Sequence, residues 1–206
     1  MKVKEYENIR LWQGDCMELM EDKPENHWDL AICDPPYGIG ISNNSFRQKH
    51  DKSGWDDAIP NLEYFDTLII ASSDQIIWGG NYFDLPPSQG FIIWDKKQPE
   101  DFSSAMCEYA WLSKQEPAKI FREWVVINGD GKKIHPTQKP IKLYRWLLQN
   151  YATEGDRILD THGGSMSLAI ACHIEGFELD IIELDEDYYN AAVKRFEEHI
   201  SQKELF

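Results

Sequence analysis

The segment LAICDPPY, residues 30–37, joins a short apolar run to an abrupt polar end. Four successive apolar residues predict a buried strand, and the two prolines end it, because proline lacks a backbone N–H and has a fixed φ. A strand that ends in this way suits a flat ligand with an amine on its edge. Asp34 and the Pro35 carbonyl can accept the amine hydrogens while Tyr37 stacks on the ring. The same residues also fit an ordinary strand-ending turn.

Helices and strands alternate on both sides of this segment. Strands are predicted at residues 9–12, 28–33, 75–78, 91–94, 109–112, 124–127, 157–160 and 179–183. Helices are predicted at residues 16–20, 61–73, 140–151, 166–175 and 186–200. This alternation predicts an α/β fold with a doubly wound, mostly parallel sheet, which binds its ligands at the carboxyl ends of the strands.

The length and composition predict a single domain spanning residues 1–206. No stretch approaches the roughly 18 apolar residues of a membrane span, and the first residues lack the apolar core of a signal peptide. The 4 cysteines are scattered without a CxxC pair. We therefore expect a soluble cytoplasmic protein with no membrane segment, and we predict no metal site.

The charge distribution bears on nucleic-acid binding. A net charge of −15 opposes contact with a phosphate backbone, which favours Lys and Arg. Residues 90–145 nevertheless carry 10 Lys and Arg against 7 Asp and Glu. The basic groups therefore concentrate in the middle of the chain, where they either solvate loops or contact phosphates.

Residues 38–59 form a long polar stretch directly after the proline turn. A loop of this length inside a compact domain is usually functional or disordered. We predict a lid in which Arg47, Lys49 and Lys52 contact the phosphates of a nucleic acid. The alternative is a flexible insertion without a role.

A second candidate site lies towards the C-terminus. Asp160 ends a predicted strand, and a turn containing Gly163 and Gly164 leads into a helix and a further strand that ends at Glu183. An acidic residue about 20 positions after such a turn binds ribose hydroxyls in nucleotide-binding α/β folds. A nicotinamide dehydrogenase also has this arrangement, but Met166 stands where the G-x-G-x-x-G spacing requires a glycine.

Taken together, five motifs resemble those of S-adenosylmethionine-dependent DNA amino-methyltransferases. They are Gly14-Asp15, Asp34-Pro35-Pro36-Tyr37, His135-Pro136-Thr137-Gln138-Lys139-Pro140, Ile158-Leu159-Asp160 with Gly163-Gly164-Ser165, and Ile182-Glu183. The catalytic motif precedes the cofactor motif, as in the beta class, a circularly permuted form of the Rossmann-like methyltransferase fold. The resemblance extends from about residue 9 to about residue 196.

The resemblance implies roles for particular residues. The catalytic residues would hold a flipped-out adenine of double-stranded DNA; they are Asp34, Pro35, Pro36 and Tyr37. The remaining motifs would bind S-adenosylmethionine, with Asp15 at its adenine, Glu183 at its ribose and Lys139 near its methionine carboxylate. The implied cofactor-binding set is Asp15, Asp34, Thr137, Gln138, Lys139, Pro140, Asp160, Gly163, Gly164, Ser165 and Glu183.

The implied activity is methylation of the N6 amine of adenine in DNA, as in restriction–modification systems. Two alternatives stay open: an amino-methyltransferase for RNA, protein or cytosine N4, and a DNA-binding relic with little or no activity. The second arises because His162 and Met166 depart from the family's glycine-rich turn. Residues 95–134 leave room for only a small target-recognition segment. The recognition sequence, a homodimeric state and a cognate restriction enzyme are left open.

Overall fold

The computed structural model describes residues 1–39, 59–101, 105–124 and 133–203. The strands of these residues are β1 (Lys2–Tyr6), β2 (Ile9–Gln13), β3 (Trp28–Cys33), β4 (Ser72–Trp78), β5 (Phe91–Asp95), β6 (Cys107–Leu112), β7 (Lys119–Arg122), β8 (Arg157–Asp160) and β9 (Glu178–Glu183). The helices are α1 (Cys16–Glu21), α2 (Leu62–Ala71), α3 (Ile141–Tyr151), α4 (Ser167–Glu175) and α5 (Glu186–Lys203).

The described strands form one sheet in the order β1-β2-β9-β8-β3-β4-β6-β5-β7. Strand β1 is antiparallel to β2, and β6 is antiparallel to both of its neighbours, while the other adjacent pairs are parallel. The predicted doubly wound, mostly parallel sheet is therefore confirmed.

Most predicted elements match the structure, and β3 and β8 have the predicted bounds. The strand predicted at residues 124–127 is wrong at Trp124, which lies in no strand, and its other residues fall outside the described part of the chain. The neighbouring strand is β7, with alternating exposure. The helix predicted from residue 61 begins one residue later because Asn61 caps it, its side-chain oxygen accepting the N–H of Tyr64 at 3.0 Å.

Helices cover both faces of the sheet. In β3, Leu30 and Ile32 point to the side that carries α3, α4 and α5, whereas Ala31 and Cys33 point to the side that carries α1 and α2. Successive residues of a strand face opposite sides, so a strand buried on both faces reads as one continuous apolar run. This explains why the run before Asp34 lacks the polar alternation of a surface strand.

The connections between strands reverse direction between β3 and β8, and this reversal determines where a ligand can bind. From β3 the chain passes through α2 to β4 on one side, and from β8 it passes through α4 to β9 on the other. In open α/β sheets, ligands bind in the crevice that such a reversal opens at the carboxyl ends of the strands. Asp34 follows β3 and Asp160 ends β8, so both lie at this crevice. Within the described residues, no helix is long and apolar enough to cross a membrane.

Candidate active site

A cleft of about 190 Å³ opens at the carboxyl ends of β2, β3, β8 and β9. Its lining includes many of the residues predicted from the sequence: Asp15, Asp34, Pro36, Thr137, Gln138, Lys139, Gly163, Gly164, Ser165 and Glu183. Of the predicted site residues that the structure describes, four are not in its lining: Pro35, Tyr37, Pro140 and Asp160. Segments far apart in the sequence are thus assembled around one cavity.

The glycine-rich turn after β8 packs closely against β9. The backbone N–H of Gly163 donates to the carbonyl of Ile182 at 2.8 Å. A Cβ atom at Gly163 would lie only 3.1 Å from Cγ1 of Ile181. Gly164 has φ +49, in the left-handed region that favours glycine. The absence of side chains here leaves room for a ligand to approach the backbone of the turn.

Met166 adopts a backbone conformation that is typical of glycine. Its φ is 52° and its ψ is 35°, and its side chain is fully buried at the start of α4. A left-handed backbone costs a residue with a Cβ atom about 1–2 kcal/mol. Methionine in place of glycine at position 166 therefore strains the turn, but the turn keeps the backbone conformation that a glycine would have.

Glu183 connects the glycine-rich turn to the end of β9. Its Oε2 accepts the N–H of Gly164 at 2.7 Å, and its Oε1 accepts the N–H of Asp185 at 2.9 Å. Burial raises the pKa of the Glu183 carboxyl, although these backbone hydrogen bonds oppose the rise. The carboxylate thus holds the turn while it also faces the cleft.

Asp15 enters the cleft from the end of β2. It is the N-cap of α1, and its Oδ1 accepts the N–H of Met17 at 2.9 Å. The N–H of Gly14 donates to the carbonyl of Glu183 at 3.1 Å, so the loop after β2 is tied to the end of β9. The two carboxylates implied for the adenosine part of the cofactor therefore line the same cavity.

Asp160 lies beneath the cleft and is only 2% exposed. The pKa of its carboxyl is raised to about 8, chiefly by burial and also by the nearby carboxylates of Asp34 and Glu183, although the N–H of His162 and the ammonium of Lys139 oppose the rise. That N–H donates to Oδ1 of Asp160 at 3.0 Å. At neutral pH the carboxyl is therefore mostly protonated.

A tight loop brings residues 135–139 to the cleft. The N–H of Gln138 donates to the carbonyl of His135 at 3.2 Å, and the side-chain oxygen of Gln138 accepts the N–H of Ile134 at 3.0 Å. Oγ1 of Thr137 lies 3.0 Å from Nδ1 of His135. Pro140, with φ −65°, ends the loop and caps α3. These contacts fix the direction in which Lys139 leaves the loop.

Asp34 belongs to a network of charges. The hydroxyl of Tyr37 donates to its Oδ1 at 2.6 Å, and Nζ of Lys139 contacts its Oδ2. Lys139 is 3% exposed and also lies 3.1 Å from Oε2 of Glu108. Burial alone would lower the pKa of Lys139, but the two carboxylates outweigh this effect and raise it. Lys139, which the resemblance implies to be near the methionine carboxylate, is thus also paired with Asp34.

The ring of Tyr37 lies among other aromatic side chains. It stacks on the ring of Tyr82, with centroids 5.0 Å apart and an angle of 12° between the planes, and it meets Phe83 edge-on. Gly79 allows this placement, because a Cβ atom there would lie 2.2 Å from Cε1 of Tyr37. The partly exposed pair of tyrosines adjoins the cleft at Asp34.

Several cleft residues were not predicted as site residues from the sequence. They are Gly14, Cys16, His135, Tyr144, Thr161, His162, Leu184 and Tyr188. Burial lowers the pKa of His135 to about 3 and that of His162 to about 4, so both are neutral. The ring of His135 packs edge-on against Tyr188 of α5 at 4.4 Å. His135 stands inside a recognised motif, which could have indicated it. Tyr188 belongs to none of the motifs, although its helix α5 directly follows the strand that ends at Glu183.

Arg47, Lys49 and Lys52, and with them nearly all of the predicted lid, lie outside the described residues. Their contact with phosphates stays a prediction. In the part of the chain that is described, no group of three or more His, Cys, Asp and Glu side chains is arranged to hold a metal ion.

Residues 93–194 match the model of the N6/N4 methyltransferase family, described as DNA methylase. A curated relative, "Type II methyltransferase M2.MboI" from Moraxella bovis, is 25% identical over 98% of this chain and 97% of its own length. The chain thus resembles the N6/N4 DNA methylase family over residues 93–194 and a type II methyltransferase over nearly its whole length.

Two solved structures share the fold. The structure titled M1.HpyAVI–SAM complex has a TM-score of 0.63 at 18% identity, and covers 91% of this chain and 98% of its own. The PvuII DNA methyltransferase, described as cytosine-N4-specific, has a TM-score of 0.62 at 16% identity, with coverage of 92% and 86%. The predicted Rossmann-like methyltransferase fold is confirmed.

Proposed function

We propose that this protein is a DNA methyltransferase that transfers a methyl group from S-adenosylmethionine to the N6 amine of adenine in double-stranded DNA. One observation carries the proposal. Asp34, at the end of β3, and the glycine-rich turn with Glu183, between β8 and β9, line the same cleft. A group that binds an amine and a group that binds a nucleoside therefore lie next to each other.

The cleft residues fit this cofactor. Carboxyl groups of Asp15 and Glu183 line the cavity, which suits a ligand with hydroxyl groups and a positive charge. Gly163 and Gly164 leave the backbone accessible. Glu183 would hold the ribose, Asp15 the adenine, and the turn and residues 137–140 the methionine part. When bound, S-adenosylmethionine supplies a methyl group on a positively charged sulfur.

The protein's own contribution is to place and polarise the target amine. The lone pair of an aromatic amine is delocalised into the ring, so the nitrogen is a weak nucleophile. The Asp34 carboxylate and the Pro35 carbonyl would accept hydrogen bonds from its two N–H groups, shift the nitrogen towards a tetrahedral geometry and stabilise the positive charge that develops on it. With the methyl group on nitrogen and S-adenosylhomocysteine as the leaving group, the methylated amine would return to neutrality by losing one of these protons. Asp34 is only partly exposed, which strengthens such an interaction.

The target base must leave the duplex to reach Asp34. Extrusion costs a few kcal/mol of unstacking, and stacking on an aromatic ring offsets about 1–3 kcal/mol. Tyr37 and Tyr82 form a stacked aromatic surface beside Asp34, and Tyr82 is 44% exposed. This surface is suited to receive a flipped-out base.

By resemblance to the family, a catalytic motif that begins with aspartate, as Asp-Pro-Pro-Tyr does, favours adenine as the target, whereas a motif that begins with serine favours cytosine. The alternative, cytosine N4, has the support of the fold shared with the cytosine-N4-specific PvuII enzyme. The alternative of an inactive relic loses support because Met166 keeps the glycine-like backbone and most of the predicted catalytic and cofactor-binding residues still line one cleft.

The test is transfer of a labelled methyl group to unmethylated plasmid DNA, with RNA and protein as alternative acceptors. Mass spectrometry of the nucleosides should show N6-methyladenine; N4-methylcytosine would replace the adenine assignment, and no label in DNA would overturn the proposal. Asp34→Ala should lower kcat at least a hundredfold and leave cofactor affinity nearly unchanged. Asp66→Asn, at an exposed position of α2, is the matched control.

A further inference from the structure

Four charged side chains of alternating sign extend from the cleft towards β5 and β6. Asp34 contacts Lys139, and Nζ of Lys139 lies 3.1 Å from Oε2 of Glu108. Oε1 of Glu108 lies 2.6 Å from Nζ of Lys96. Lys139 and Lys96 are 3% and 8% exposed. The chain of contacts has two positive and two negative groups, so its charges balance.

We propose that Glu108 is a positioning residue that takes over the Lys139 ammonium when Asp34 turns to the target amine. This inference rests on the proposed function, since it concerns how Asp34 becomes able to accept a hydrogen from that amine. Neither the sequence motifs nor the resemblance assigns Glu108 a role.

Both oxygens of the Asp34 carboxylate already have a donor. Oδ1 accepts the hydroxyl of Tyr37 and Oδ2 contacts Lys139. Each oxygen has a second lone pair that the target amine could use, but the contact with Lys139 neutralises the charge that would polarise that amine. Lys139 is the donor with a second carboxylate within 3.1 Å, so it can leave Asp34 and keep an anionic partner.

Without Glu108 this exchange would be unfavourable. Lys139 is almost completely buried, and its ammonium also lies 5.2 Å from the centre of the Trp78 ring. An ammonium that loses both of the protein carboxylates that contact it, Asp34 and Glu108, has a large desolvation penalty in such surroundings. It would stay on Asp34 and neutralise the charge that should polarise the amine.

The sheet holds Glu108 in place for this role. Glu108 lies on β6 opposite Trp94 of β5, and the N–H of Lys96 donates to the carbonyl of Met106 at 2.9 Å. Burial would raise the pKa of Glu108, but Lys139 and Lys96 outweigh this effect and lower it. Glu108 is therefore an ionised acceptor on a rigid element, which is the support that a precisely placed Asp34 needs.

The first experiment measures methyl transfer to unmethylated plasmid DNA and cofactor affinity for three variants. Glu108→Gln should lower kcat at least tenfold while the Kd of S-adenosylmethionine stays within twofold, and Glu108→Asp should recover most of the loss because it restores the charge. Glu175→Gln is the control, since Glu175 is a paired carboxylate on α4, bound to Arg145 outside the cleft. A Glu108→Gln enzyme with kcat within twofold of the wild type would overturn the inference.

The second experiment does not depend on variants. A crystal structure of the wild-type protein with S-adenosylhomocysteine and a duplex carrying the mapped target site should show Lys139 within hydrogen-bond distance of Glu108, about 3 Å, and separated from Asp34. If Lys139 still contacts Asp34 while the amine is bound, the inference is wrong and the proposed function stands. A wild-type protein that methylates no DNA overturns the proposed function itself, and the inference with it.

Discussion

The carboxylate of Glu183 accepts the N–H of Gly164 at 2.7 Å, so the residue that ends β9 holds the turn that follows β8. A single side chain therefore determines both the shape of the turn and the charge at one wall of the cleft. Ligand affinity and turn geometry are coupled through this contact.

Glu183→Gln should weaken binding of S-adenosylmethionine at least tenfold. The amide removes the negative charge and leaves one oxygen where the carboxylate has two acceptors for backbone N–H groups, which costs about 1–3 kcal/mol. Titration calorimetry measures the affinity. Glu186→Gln, an exposed position paired with Lys2, should bind as the wild type does. Unchanged affinity in Glu183→Gln would place the ribose elsewhere.

Asp160 should make stability depend on pH. Burial raises the pKa of its carboxyl to about 8, from 3.8. Between these values the folded protein retains a proton that the unfolded chain has released, so the stabilising contribution of the buried acid decreases as the pH rises from about 4 to about 8.

Urea unfolding at pH 5 and pH 8 measures this effect. The quantity to compare is the free energy of unfolding of the wild type minus that of Asp160→Asn. This difference should be larger at pH 5 than at pH 8, and it should fall by at most about 1.4 kcal/mol for each unit of increasing pH. The Asn variant cannot titrate and is the reference. A difference that is the same at both pH values would contradict the raised pKa.

Met166→Gly and Met166→Ala should reverse the usual order of stability. Both remove a fully buried side chain and should cost about 2–5 kcal/mol. Only Gly relieves the left-handed backbone, so Met166→Gly should be the more stable by about 1 kcal/mol. Thermal and urea unfolding provide the comparison. If the Ala variant is the more stable, the backbone at Met166 is not strained.

Gly79→Ala should lower kcat by displacing Tyr37. The new Cβ atom would lie 2.2 Å from Cε1 of the Tyr37 ring, at a residue with φ +70. The affinity for S-adenosylmethionine should change little, because neither residue lines the cleft. Gly155→Ala, with φ +92 and no heavy atom within 4 Å, introduces backbone strain without a clash and should keep its activity. Equal kcat in the two variants would mean that the position of the Tyr37 ring does not affect methyl transfer.

The sequence predicted the sheet well where strands are buried on both faces, because β3 and β8 are marked by apolar runs that end at Asp34 and Asp160. It did not predict β1, whose residues are nearly all exposed and include the charged Lys2, Lys4 and Glu5. An edge strand of this kind has no apolar face to reveal it. Similarly, β7 has alternating exposure and too few apolar residues to stand out.

The site shows the same limit. Local spacing predicted Glu183 and Gly164 as site residues, since a strand, turn, helix and strand follow one another in the chain, and both residues line the cleft. It could not identify Glu108, which reaches Lys139 only through the antiparallel placement of β6 between β4 and β5. Long-range pairing of strands has no signature in the local pattern of a single sequence.

The pairing of β2 with β9 has a consequence for the newly made chain. Arg10 and Asp180 are hydrogen-bonded neighbours in the sheet although they are 170 residues apart in the sequence. At about 5–20 residues per second, a ribosome that has made β2 needs roughly 8–34 s to reach β9. Throughout this interval β9 has not yet been synthesised. Ile9 and Leu11, both fully buried in the folded protein, therefore lack the strand that they pair with on that side of β2. Contacts this distant fold slowly and leave strand edges exposed to aggregation, so the yield of active protein in a cell should depend on chaperones that shield the early strands.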